Sequence, residues 1–189
     1  MQPTKQDLMV LNQVKKVFLE CDYQVLSSRQ EGNFLVFSVN KKKIKGFREE
    51  VIVKYHLPRK YLQVFRKLKE KVADEKIKDL LSILNFTNHH VMLGHFYLCL
   101  ESHYVTCRHG MFVVGDKLEE AGFKKSLMEI SAMTNEIFLY LRKFLLGSVK
   151  KNGCFNDIFR LGLDDVVFKP PKEGILASSP KKSLENHVP

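Results

Sequence analysis

The chain has 189 residues, 44% hydrophobic and 28% charged, with 6 Pro, 10 Gly and a formal net charge of +10. That composition excludes general disorder, and a chain this long hides about 68–70% of its unfolded surface in one core without help from metal or disulfide. It also excludes a bilayer-spanning helix, because no apolar run approaches ~20 residues.

The opening eleven residues carry Lys5 and Asp7 and no apolar block, so a cytoplasmic location is expected. Cys21, Cys99, Cys107 and Cys154 show no C-x-x-C spacing and are read as reduced thiols, mostly buried. Between residues 1 and 73, 16 Lys+Arg against 7 Asp+Glu leave +9, nearly all of the excess. A field of that sign draws nucleic acid, anionic lipid or an acidic protein surface.

In chain order, Thr4-Lys5-Gln6-Asp7 forms a capping box, and Leu8, Leu11, Val14 and Phe18 follow at helical spacing, with Cys21 closing the stripe. The period then changes to two. Residues 23–27 and 34–39 read as strands around a turn at 29–32, and 51–55 as a third, together an antiparallel meander. Residues 34–39 are apolar on both faces, which predicts a central strand covered twice. Pro58 suits a first helical position, and Tyr61, Phe65, Leu68 and Val72 then predict a helix. Asp74 starts another segment with a buried face of Ile77, Leu80, Leu81 and Leu84, ending at Asn85.

A second β block follows. A turn at Ser102-His103 opposes Leu100 to Val105, Leu98 to Cys107 and Phe96 to His109, all on one face. The reverse face carries Tyr97, Glu101, Tyr104, Thr106 and Arg108. Residues 111–114 extend the sheet or pack over its end. The last long helix lies within 123–146, with Leu127, Ile130, Met133, Ile137, Leu141 and Phe144 as its stripe and Gly147 as its C-terminal cap. Residues 147–189 form an extension. Its apolar part, 154–168, docks on its own domain or on a second subunit; 169–189 has a flexible composition.

Five histidines, His89, His90, His95, His103 and His109, crowd one interval, yet hairpin alternation sends His95 and His109 to opposite faces, so no metal or other cofactor is expected. Cys107 and His109 share a face with apolar neighbours, which favours packing over nucleophilic catalysis. No phosphate-cradling glycine loop or catalytic elbow is present, and no enzyme is expected. The basic loop with Lys41, Lys42, Lys43, Lys45 and Arg48 stands out, followed by Arg59, Lys60, Arg66, Lys67, Lys69 and Lys71. Tyr97 and Tyr104 with Arg108 offer a stacking platform.

Ile83-Leu84-Asn85-Phe86, then Gly94-His95-Phe96-Tyr97-Leu98 and a turn into Val105-Thr106-Cys107-Arg108, resemble the core signature of the bacterial YbjN-like family over residues 5–146. The chain departs from that family at Glu101-Ser102-His103, where Asp and Gly are usual, and in its basic charge. The resemblance implies the fold of the type III secretion chaperones: α+β, with a curved antiparallel sheet of about five strands and flanking helices in the order α-β-β-β-α(α)-β-β-α. It further implies a homodimer that holds a segment of a partner protein, and it transfers no catalytic residue. The expected function is thus a non-enzymatic, chaperone-like or regulatory protein-binding module, with Tyr97, Tyr104, Arg108, Lys41, Lys42, Lys43 and Lys45 engaging an acidic segment. Nucleic-acid binding through the basic half is the alternative.

Overall fold

The computed structural model describes residues 1–41, 50–91, 94–114 and 118–164. It is an α+β protein with an open antiparallel sheet of six strands in the order β1-β2-β3-β4-β6-β5. The elements are α1 (Lys5–Glu20), β1 (Tyr23–Glu31), β2 (Phe34–Lys41), β3 (Glu50–His56), β4 (Tyr61–Lys71), α2 (Ile77–His90), β5 (His95–Cys99), β6 (Tyr104–Phe112), α3 (Glu120–Leu145) and α4 (Lys151–Asp164). No described helix is long and apolar enough to cross a membrane.

The first helix starts where the capping box places it. The Thr4 hydroxyl accepts from the Asp7 amide, and the Asp7 carboxylate accepts from the Thr4 amide at 2.9 Å. Its buried stripe is Val10, Leu11, Val14, Val17 and Phe18, so the helix is rotated from the expected face and Leu8 is exposed. The β1–β2 hairpin turns within two residues. Gly32, at φ +57, supplies the left-handed backbone such a tight turn needs. Strand β2 is second from the sheet edge, not central. Leu35, Phe37 and Val39 face the helices, and Val36 is buried on the opposite face between Arg29 and Lys54 of the neighbouring strands.

The helix expected after Pro58 is strand β4. Residues 57–60 turn the chain, with Lys60 at φ +49, and Leu62, Val64, Arg66 and Leu68 then alternate into the interior. This is why the sheet has six strands and not five. Arg66 is only 2% exposed. Its guanidinium donates to the carbonyls of Ile130 and Ser131 and, at 2.9 Å, to Asn135 Oδ1, all on α3.

Helix α2 runs past Asn85 to His90 and buries Leu80, Ile83, Leu84 and Thr87, leaving Leu81 exposed. The β5–β6 hairpin pairs Phe96 with Cys107 and Leu98 with Val105, two residues away from the expected register. A shift of two keeps every side chain on its face, but it moves Leu100 into the turn, where it is 62% exposed. On the outer edge of β5, the Asn88 side chain accepts from the Phe96 amide at 2.7 Å and donates to the Phe96 carbonyl at 2.8 Å. A side-chain amide thus stands in for a missing strand neighbour.

Helix α3 ends in a Schellman arrangement: Ser148 N–H reaches the Lys143 carbonyl and Gly147 N–H that of Phe144, with Gly147 at φ +77. Lys76 Nζ donates to the carbonyls of Phe144 and Leu145, a cation placed against the negative end of the helix. The chain reverses there, and α4 packs on α2 and α3 through Cys154 and Ile158. The first part of the 154–168 segment therefore docks on its own domain; residues from 165 onward lie outside the described region.

Two hydrophobic clusters result, both on one side of the sheet. One joins α1 and the start of α3 to β1–β4; the other joins α2, α4 and the rest of α3 to β4, β5 and β6. Asp7 is buried in the first region and pairs with Lys60 at 2.5 Å, tying α1 to the β3–β4 turn. Burial alone would raise its pKa, but hydrogen bonds from Lys60 and Thr4 outweigh that and hold the carboxyl below its ordinary value. A carboxyl that titrates lower when folded contributes stability that is complete above its unfolded pKa and drains as pH falls toward its folded one. Asp7→Asn is expected to flatten that acid limb of a stability–pH curve from urea unfolding. Thr4→Ala is expected to lower stability by about 1 kcal/mol with an unchanged m-value.

Candidate functional site: the open face of the sheet

Strand alternation sends every second side chain away from the helices. Pairing registers align those outward residues into rows. Phe34, His56, Tyr61 and Phe112 lie side by side across β2, β3, β4 and β6. Val36, Lys54, Gln63 and Gly110 form the next row, then Ser38, Ile52, Phe65, Arg108 and His95. Lys67, Thr106 and Tyr97 follow, and Tyr104 with Cys99 completes the set. None of these residues belongs to either hydrophobic cluster, so no described helix covers this face.

The rings contact one another and the cations. Phe34 and His56 have ring centres 4.7 Å apart, as do Tyr61 and Phe112. The phenol end of Tyr61 lies over Gly110, where any β-carbon would collide with it. Lys67 Nζ sits 3.6 Å from the centre of the Tyr104 ring, and Lys54 Nζ 5.9 Å from that of Phe65. Arg108 and Phe112 are exposed, Phe112 to 66%.

Of the outward side chains described on the strands, one is acidic. Glu31 binds Arg29 at 2.6 Å and lies 3.8 Å from Lys54; the Arg29 hydrogen bond holds its carboxyl below the usual range. Burial pushes the Tyr97 phenol up, against a hydrogen bond with Thr106 and the charge of Arg108. Among its described side chains the face is therefore aromatic and positive, with the Glu31 carboxylate already paired.

The sequence-derived candidates fall in different places. Tyr97, Tyr104 and Arg108 share the open face. Lys41 points the other way, with its Nζ 5.8 Å from the ring centre of Tyr23, and lines a cleft of about 400 Å³ between the α1–β1 turn and α3. Lys42, Lys43, Lys45 and Arg48 lie outside the described residues. The basic run of β4 is divided by its strand geometry: Lys67 faces outward, Arg66 is buried inward, and Lys60 is paired with Asp7. Lys54, Phe34, His56, Phe65 and Phe112 were not among the candidates. Their common face follows from period-two alternation once β4 is recognised as a strand.

Of the remaining candidates, His95 is exposed on the open face, His103 lies 3.2 Å from the Asp74 carboxylate, and the Cys107–His109 pair faces the helices. Cys107 is buried and receives the Thr134 hydroxyl at 3.5 Å, while burial lowers the pKa of His109. Burial also pushes the Cys154 thiol up to about 12. Among the described residues, no group of three or more His, Cys, Asp or Glu is placed to hold a metal ion.

These features define a class by architecture, a helix-backed α+β sheet with one open aromatic and basic face. Comparison with protein-family models, curated proteins and solved structures finds no match to this chain.

Gly110→Ala is expected to lift Tyr61 off β6 while the sheet stays intact. Ring-current shifts of Tyr61 and Phe112 in proton NMR spectra should change, with the far-ultraviolet circular dichroism unaltered.

Proposed function

We propose that this protein is a non-catalytic binding module whose open sheet face holds an extended polyanionic partner. The observation that carries this reading is that face, which no described helix covers and on which Lys54, Lys67 and Arg108 stand among six Phe and Tyr rings, with Glu31 paired to Arg29. Phe112 is exposed, and Phe34, Tyr61, Phe65, Tyr97 and Tyr104 are half-buried, so the face offers ring surface between its cations. Cations interleaved with the rings add the sign of the partner, and the charge surplus of the chain steers encounter. The role is chaperone-like or regulatory in the sense of the YbjN-like resemblance: it holds a segment and changes no bond in it.

The test is retention on a heparin column. Lys54→Glu, Lys67→Glu and Arg108→Glu together should abolish retention at low salt. A control triple of equal charge change, Lys5→Glu, Lys78→Glu and Lys150→Glu, lies on exposed positions of α1, α2 and the α3–α4 connection and should retain most of it. Equal loss in both would mean that net charge alone binds, and the reading would fall.

A further inference from the structure

We infer that the polyanion is a single-stranded nucleic acid, its bases stacked on the ring rows and its phosphates on the cations between them. This rests on the polyanion reading above and makes it specific. Three properties of the face carry it.

The first is alternation. Across β2 to β6, the Phe34–His56–Tyr61–Phe112 row gives way to Lys54, then to Phe65 with Arg108, then to Lys67 with Tyr97, then to Tyr104. Successive outward rows on a strand are about 7 Å apart. A ligand that itself alternates flat apolar groups with single negative charges meets this order in register. An acidic peptide offers charge without planar groups to match, and heparin offers charge and no planar group at all.

The second is ring presentation. Gly110 has no side chain, so Tyr61 leans along the sheet across β6 and not away from it. Phe112 beside it is mostly exposed. Rings held against a pleated surface present area for stacking, which every base can use through its π-face.

The third is the shape of the ligand that fits. The face is one side of an open sheet, with the described helices behind it. A duplex hides the faces of its bases, so only its phosphates could reach these side chains. An unpaired strand exposes both bases and phosphates to a flat platform.

Fluorescence polarisation with labelled twelve-residue oligo(U) and oligo(dT) tests the assignment, with poly-L-glutamate, heparin and a twelve-base-pair duplex as competitors. The expected result is binding to single strands that both the duplex and poly-L-glutamate compete for poorly at equal charge. Phe112→Ala and Phe65→Leu should each weaken oligonucleotide binding by roughly 5- to 100-fold, the range that one stacked base supplies. The salt at which each variant leaves heparin should stay unchanged. Because Phe112 is largely exposed, its replacement leaves the fold intact and keeps the test decisive.

If oligonucleotides bind no better than poly-L-glutamate, or the ring variants bind them as the parent does, the nucleic-acid assignment is overturned. An acidic protein segment then becomes the occupant, and the polyanion reading survives. If no polyanion binds even at low salt, both fall together.

Discussion

A buried guanidinium joins the two halves of the interior. Along β4, Arg66 stands between Val64 of one hydrophobic cluster and Leu68 of the other. Along α3 it meets Ile130, Ser131 and Asn135, again between Leu127 of the first cluster and Ile137 of the second. Its planar fork fixes the middle of a 26-residue helix against the middle of the sheet. Guanidinium has no acceptor, so the Asn135 atom facing it must be the amide oxygen. With α3 fixed in this position, α1 and α2 have defined places on the same side, and no described helix lies on the opposite one.

Much of the architecture was legible before any coordinates. The capping box at Thr4, the first three strands, the polarity of the last hairpin and the glycine stop after α3 all follow from local chemistry. Strand β4 was not legible, and the reason is Arg66. With a charged residue at an inward position, the period of two in Leu62, Val64 and Leu68 is interrupted, while Tyr61, Phe65, Leu68 and Val72 fit a helical period. Tertiary contacts satisfied the charge and decided the outcome.

The hairpin register shows a different limit. Two pairings separated by two residues place the same side chains on the same faces, so pattern alone cannot choose between them. The choice came from the wider turn at residues 100–103, where His103 takes a positive φ of 57°. The candidate site was legible in part for a related reason. Tyr97, Tyr104 and Arg108 came from a hairpin read with the correct parity. Their neighbours on β2, β3 and β4 emerge only once those strands are aligned, because they are far apart in the chain.

The Asp7–Lys60 pair has a mechanical meaning as well. Lys60 directly precedes Tyr61, and the neighbouring Arg59 amide donates to His56 Nδ1 at 3.2 Å. The turn that carries two members of the outermost ring row is therefore moored, through the sheet, to the beginning of a helix on the far side. The loop that presents those two rings is thus braced from behind, and its backbone shares an anchor with the start of α1.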